Sequence, residues 1–159
     1  MIKEFEFYHG AVLSQLIHAD IPVSVKLYPT KSNASYIVNG RVGVYVKHCA
    51  KRMSPWRFSF QKSHQDEILK MKNDLGEMFL ALVCHDDGIA VLSFNELKMI
   101  LNEVHEDTEW ISVTRKPREK YTVKGSDGKL KYKIGDNEFP KKVLEAKPQK
   151  SKEKFTWFK

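Results

Sequence analysis

Apolar and polar positions follow three rhythms along this chain, and each marks a kind of element. Phe5, Tyr8, Val12, Leu13, Leu16 and Ile17 recur at three- and four-residue spacing, which predicts a helix from about Lys3 to about Ala19, closed by Pro22. PVSVKLYP (22–29) alternates between prolines and reads as a strand. SYIVNGRVGVYVKHC (35–49) is two β-rich runs around Asn39-Gly40, the pair that best tolerates the positive φ of a tight hairpin. RFSF (57–60) predicts another short strand. Ser63 then opens a second helix, with Asp66 and Glu67 expected in its first turn and Ile68, Leu69, Met71 and Leu75 as its apolar side. MFLALVC (78–84) has no polar alternation at all, as a central strand buried on both faces requires. A turn at Asp86-Asp87-Gly88 leads to a hairpin partner, IAVLS (89–93). Phe94 to Val104 reads as a third helix with Asn95 as its cap, EWISVTR (109–115) as a strand, YTVKGSDGKLKYKI (121–134) as a basic hairpin and FPKKVL (139–144) as a short helical turn.

The chain has 159 residues, a length that suggests one domain, or one domain with a tail, able to bury its own core. Two cysteines, Cys49 and Cys84, are too few for a disulfide framework. No run approaches the ~20 apolar residues that span a bilayer, and MIKEFEFYHG lacks the features of a signal peptide. A cytoplasmic protein without a membrane partner is the expectation.

Charge changes the picture. Residues 1–114 hold 12 Lys/Arg and 14 Asp/Glu, whereas residues 115–159 hold 15 and 6. Within the first part, 41–62 carries Arg41, Lys47, Lys51, Arg52, Arg57 and Lys62 and no acid, while 63–109 carries 11 acids and 3 bases. Such asymmetry favours a polyanion-binding face, with a merely solvated basic tail or a membrane surface as the alternatives.

The predicted order over residues 4–95 is helix, strand, hairpin, strand, helix, buried strand. Within it stand Ser35-Tyr36-Ile37-Val38, the turn Asn39-Gly40-Arg41, and Val44-Tyr45-Val46-Lys47. A basic stretch and Phe58-Ser59-Phe60 then lead into His64-Gln65-Asp66-Glu67. This resembles the core of the PD-(D/E)XK nucleases, most closely the Holliday-junction-resolvase branch. There an acid leads a short apolar strand, a turn follows, the next strand ends in Glu-x-Lys, and a glutamine sits near the start of the following helix. The resemblance implies an α/β fold: a mixed central sheet flanked by helices, with a restriction-endonuclease-like core over 1–108. A strand and basic hairpin (109–146) and a Lys-rich tail (147–159) would follow. It also implies DNA as partner, Mg²⁺ or Mn²⁺ as cofactor, phosphodiester cleavage, and a homodimer of the kind that cuts both strands.

Ser35 stands where that family has Asp and Tyr45 where it has Glu; Lys47 is kept, Gln65 matches, and the first-helix acid would fall at Glu6 or His9. Neutral hydroxyls are poor ligands for a hard cation that carboxylates normally hold. Two readings stay open. Either Glu6, Asp66 and Glu67 supply a displaced metal site beside Lys47, with Ser35 and Tyr45 holding a water, or cleavage is lost and the fold serves as a binding platform.

Lys51, Arg52, Arg57 and Lys62 interleave with Trp56 and Phe58, a composition suited to phosphate contacts and base stacking, unless the aromatics face the core. Lys120 and Lys124 add a second basic stretch. Phe155, Trp157 and Phe158 either stack on nucleic acid or dock on the domain. His48-Cys49 and Cys84-His85 fall on strands expected to be neighbours, where adjacent residues point to opposite faces, so free buried thiols are expected rather than zinc. The competing functional class is a protein-interaction module whose acidic stretch 63–109 is the docking face.

Overall fold

A computed structural model describes residues 1–102, 108–147 and 154–157. Its organising feature is the apolar run of the sequence. Strand β5 (Met78–Cys84) is buried at every position. Met78, Leu80, Leu82 and Cys84 point into one core. Phe79, Ala81 and Val83 point into another. A strand with no polar face needs cover on both sides, and the rest of the chain supplies it.

β5 lies in a five-stranded sheet of order β1-β2-β3-β5-β6. β1 (Val25–Leu27), β2 (Ser35–Val38) and β3 (Val42–Cys49) form an antiparallel meander. The β2–β3 turn is made by Asn39 (φ 54°) and Gly40 (φ 68°), both in the left-handed region that this dipeptide was expected to fill. β3 runs parallel to β5, from Gly43 opposite Met78 to Cys49 opposite Cys84. β6 (Gly88–Ser93) returns antiparallel. On one face of this sheet α1 (Glu4–Ile17) brings Val12 and Leu16, and α4 (Lys141–Leu144) brings Val143, to the second core. The other face carries α2 (Lys62–Leu75), α3 (Phe94–Ile100) and a second sheet.

The second sheet has order β4-β7-β8-β9 and is antiparallel throughout. β4 (Trp56–Phe60) leaves the central sheet and ladders onto β7 (Glu109–Thr114). β8 (Thr122–Gly125) follows β7, and β9 (Gly128–Lys129) pairs with β8 over two residues only. The run expected to be a hairpin over 121–134 therefore has a short ladder, closed further out by a single bridge between Tyr121 and Ile134. Trp56, Phe58, Phe60, Ile111, Val113 and Val123 face inward.

Several boundaries differ from the sequence expectation. α2 begins at Lys62, so Asp66 and Glu67 lie beyond its first turn. Its far end stops at Gly76, whose φ of 86° lets its N–H reach the Lys72 carbonyl. α3 is capped by Ser93 and not Asn95: Ser93 Oγ accepts from the Glu96 N–H (3.2 Å), and Glu96 accepts from the Ser93 N–H (2.9 Å). Ser-x-x-Glu is the reciprocal capping spacing, which beats an asparagine two positions later. α3 ends at Ile100; the stretch from 103 that was read as its continuation lies outside the described residues. Among the described residues no helix is long and apolar enough to cross a membrane.

Polar clasps bind the layers. Buried Glu96 accepts from Lys142 Nζ (2.7 Å) and the Tyr132 hydroxyl (2.7 Å), tying the segment after β9 to α3. Burial alone would raise the Glu96 carboxyl; Lys142, the Ser93 N–H and Tyr132 outweigh it and hold it below its usual range. Arg115 pairs with Asp87 (2.8 Å) and Asp136 (2.7 Å) and lies against the Tyr121 ring (4.8 Å). The tail docks as well: Asn73 exchanges hydrogen bonds with the Phe155 backbone, and Trp157 packs 5.3 Å from Phe94. Phe158 lies outside the described residues.

Where β8 meets α3 the backbones approach too closely for a side chain. A Cβ at Gly125 would sit 2.3 Å from the Ile100 carbonyl oxygen. Gly125→Ala should cost about 1–3 kcal/mol, because backbone and not a flexible side chain must move; urea unfolding checks this, and an unchanged midpoint would contradict the close docking of the second sheet.

Candidate functional site

β2 begins opposite Tyr45, in register Ser35↔Tyr45. Beyond that point β3 has no strand neighbour on this side, although the Val46 N–H still bonds the Ala34 carbonyl (2.9 Å). The gap is a cavity of about 340 Å³ whose lining includes Phe5 and His9 from α1, Ser32 from the β1–β2 loop, Tyr45 and Lys47 from β3, and His64 from α2.

Lys47 Nζ donates to the Ser59 carbonyl of β4, stands 3.3 Å from His64 Nδ1, and lies 4.7 Å from the Phe60 ring centroid. Burial pushes its ammonium down to about 8. His64 Nδ1 also accepts the Gln61 N–H (3.1 Å), which places the ring proton of the neutral form on Nε2. Burial first, then the charge of Lys47, lowers the His64 pKa. His9 Nδ1 and the Tyr36 hydroxyl are hydrogen-bonded at 2.8 Å, and burial, with His48 nearby, lowers His9 to about 4. Tyr45 is raised by burial and by Glu67, so it stays a neutral phenol. His48 stacks on Tyr8 at 4.4 Å and meets Glu4 at 3.2 Å.

Glu67 is the acid that comes nearest to the expected role. Its carboxylate accepts from Thr30 Oγ1 (2.5 Å), Ser32 Oγ (2.6 Å) and Ser35 Oγ. Burial would raise it, but the three hydroxyls prevail and keep it below its usual value. Sequence reasoning placed Ser35, Tyr45, Lys47 and Glu67 in one site, and these do converge. His9 lines the same cavity, bonded to Tyr36, but Glu6, Asp66 and Gln65 do not join it. Glu6 is exposed and accepts the Lys3 N–H (3.0 Å) at the start of α1. Asp66 is exposed and pairs with Lys62 (3.3 Å). Gln65 is buried and turns the other way, donating to the Asn102 carbonyl (2.8 Å). A helix residue one position from Glu67 faces roughly 100° away from it, so the three could not share one face.

The divalent cation implied by the family resemblance does not fit these residues. Among the described residues no group of three or more His, Cys, Asp or Glu side chains is close enough to hold a metal. One carboxylate is present, and both its oxygens already accept hydroxyl protons. Cys49 and Cys84 sit opposite one another, half-buried and buried, as free thiols.

The cations assemble elsewhere. On the second sheet the inward positions are apolar or glycine apart from the buried Glu109 at the start of β7, so Arg57, Ser59, Trp110, Ser112, Thr114, Thr122, Lys124 and Lys129 point outward by alternation. Register places Arg57, Ser112, Lys124 and Lys129 in a single row across the four strands. The Arg57 guanidinium lies 4.5 Å from the Trp110 ring. At the upper end, Arg52, Arg115, Lys116 and Arg118 surround a second cavity of about 330 Å³. Trp56 was expected to stack on nucleic acid, yet it is 3% exposed and packs inward, its Nε1 bonded to the Lys51 carbonyl. Arg41 follows the β2–β3 turn and Lys62 starts α2, so neither joins the row; Lys51 and Lys120 are exposed in loops. Trp110 went unread in the sequence, and Lys129 was read only as part of the basic hairpin. Their signal was the two-residue alternation shared with Arg57 and Lys124, which says nothing until the register is known.

Compared with family models, with curated proteins and with solved structures, the chain matches none.

His9 is neutral in the fold, whereas in the unfolded chain it takes up a proton near 6.5. Stability should therefore fall as pH drops from about 6.5 to about 4 and level off below. His9→Gln, which cannot titrate, should flatten that fall by about 1–2 kcal/mol; denaturant unfolding at pH 7 and pH 5 measures it, and an equal slope in both proteins would refute it.

Proposed function

We propose that this chain is a nucleic-acid-binding protein built on a nuclease-like core that works as a binding platform without metal-dependent cleavage. The observation that carries the reading is the cationic row Arg57, Lys124 and Lys129 on the outer face of the second sheet, extended by Arg52, Lys116 and Arg118 at its end. A polyanion releases counterions when it meets such a face, and that release is the usual source of affinity for nucleic acid.

The nuclease-like part of the proposal rests on the order of elements: a β1–β2–β3 meander, a crossover through β4 and α2, β5 parallel to β3, and helices on both sides. It rests also on Ser35, Tyr45 and Lys47 meeting at the end of β2. Loss of cleavage follows from the donor set. Metal-dependent phosphodiester hydrolysis needs carboxylates free to hold a hard cation. Among the described residues Glu67 is the one carboxylate beside Ser35, and it is engaged by Thr30, Ser32 and Ser35.

The alternative of an acidic docking face is less favoured by the positions of the acids. Within 63–109, every described carboxylate has an internal partner. Asp66 meets Lys62, Asp74 meets Lys70, Glu77 meets Lys72, Asp86 meets His85, Asp87 meets Arg115 and Glu96 meets Lys142. Glu67 and Glu109 accept from hydroxyls. Among the described residues no carboxylate pairs with the bases of the outer row.

Fluorescence anisotropy with labelled DNA should show binding whose affinity falls steeply with salt. Isothermal titration with Mg²⁺ or Mn²⁺, with and without DNA, should show no saturable uptake, and no cleavage should accompany binding. Lys47→Ala should bind DNA within about twofold of the parent, since Lys47 faces the interior cavity. Metal uptake strengthened by DNA would establish a displaced catalytic site instead, and a salt-insensitive complex would point to a protein partner.

A further inference from the structure

The outer face of the second sheet has more specific chemistry than positive charge. Its eight outward positions hold three cations, four hydroxyls and one indole, with no carboxylate. Four strands at about 4.8 Å spacing make the Arg57–Lys129 row roughly 14 Å long. The indole of Trp110 lies within this row's surroundings, half-buried, with the Arg57 guanidinium against it. The other two tryptophans, Trp56 and Trp157, are 3% and 6% exposed and belong to the core.

We infer that this face is a binding platform for single-stranded DNA, in which a base stacks on the Arg57–Trp110 pair while Arg57, Lys124 and Lys129 hold the flanking phosphates. The inference rests on the nucleic-acid reading above and narrows it to one surface and one form of ligand.

The physical reasons lie in the flatness and composition of the face. A sheet face of this kind has no helix or ribbon to enter a duplex groove, so base edges of a duplex stay out of reach. A single strand exposes the flat π-surface of each base, and an indole or a guanidinium plane can stack on it irrespective of sequence. A base can rest on the guanidinium or take its place on the indole; both change the surroundings of Trp110. The hydroxyls of Ser59, Thr114 and Thr122 offer neutral hydrogen bonds to phosphate and base edges, whereas Ser112, between Arg57 and Lys124, is buried. The same hydroxyls could meet the 2′-hydroxyl of RNA, so the choice of DNA follows the reading above and RNA of the same sequence is its direct test.

The full chain is titrated with a short single-stranded DNA, its duplex, and the RNA of the same sequence, at low and moderate salt. Anisotropy and tryptophan emission are both read. The single strand should bind at least about tenfold more tightly than the duplex and should quench emission, a signal dominated by Trp110 because its two companions are buried. Trp110→Leu should lose the quench and weaken single-strand binding by about 5- to 100-fold, while Trp110→Tyr, which keeps a stacking ring, should retain most affinity. Circular dichroism verifies that both variants fold. Equal binding of Trp110→Leu and the parent, or preference for duplex, would overturn this platform and leave nucleic-acid binding standing. Tighter binding of RNA than DNA would overturn the choice of DNA. Failure of all three ligands to bind at low salt would overturn the nucleic-acid reading itself.

Discussion

Everything in this molecule is arranged around a strand that cannot tolerate water on either face. β5 sends alternate side chains into two cores. Burying a Val, Leu or Phe side chain is worth about 1.5–3 kcal/mol, so leaving either face open would forfeit several such terms. α1 and α4 cover one side, and α2, α3 and the inner face of the second sheet cover the other. The parallel pairing of β3 with β5 adds a further demand. Parallel neighbours need a long crossover, and here that crossover holds β4 and α2. The same connection therefore seeds the second sheet and delivers His64 and Glu67 to the end of β3.

The cavity beyond the start of β2 gathers polar groups that are largely withdrawn from water. Lys47 is dehydrated and spans to the Ser59 carbonyl and His64. The single nearby acid is saturated with hydroxyl donors from the β1–β2 loop and β2. Lys47, His64 and Glu67 each have a polar partner within the protein. A metal would have to compete with the three hydroxyls for Glu67 and would gain no second carboxylate.

Charge is sorted by sign as well as by location. Among the described acids between 63 and 109, Glu96 and Asp87 act as clasps, each joining the C-terminal extension to the central layers, whereas Asp66 and Asp86 lie at the surface. Cations, by contrast, collect on the outward side of the second sheet and at its upper end.

Much of this was already present in the sequence. A seven-residue apolar run bounded by turn residues reads as a strand covered on both faces, Asn39-Gly40 can adopt positive φ at both positions without strain, and helical spacing of apolar residues sets α1 and α2. These depend on local sterics and periodicity, which neighbours in the chain decide. The convergence of Ser35, Tyr45, Lys47 and Glu67 was legible for a similar reason, since two-residue spacing puts Tyr45 and Lys47 on one face. Ser93 and Glu96 also displayed their capping pattern openly, though Asn95 obscured it. Other features were left to the tertiary structure. Alternation in β4 could not say whether Trp56 or Arg57 faces water, because the side that becomes the interior depends on what packs against it. Nor could composition reveal that Arg57, Lys124 and Lys129 form one row: those residues are separated by up to 72 positions, and only the hydrogen-bond register of four strands brings them side by side.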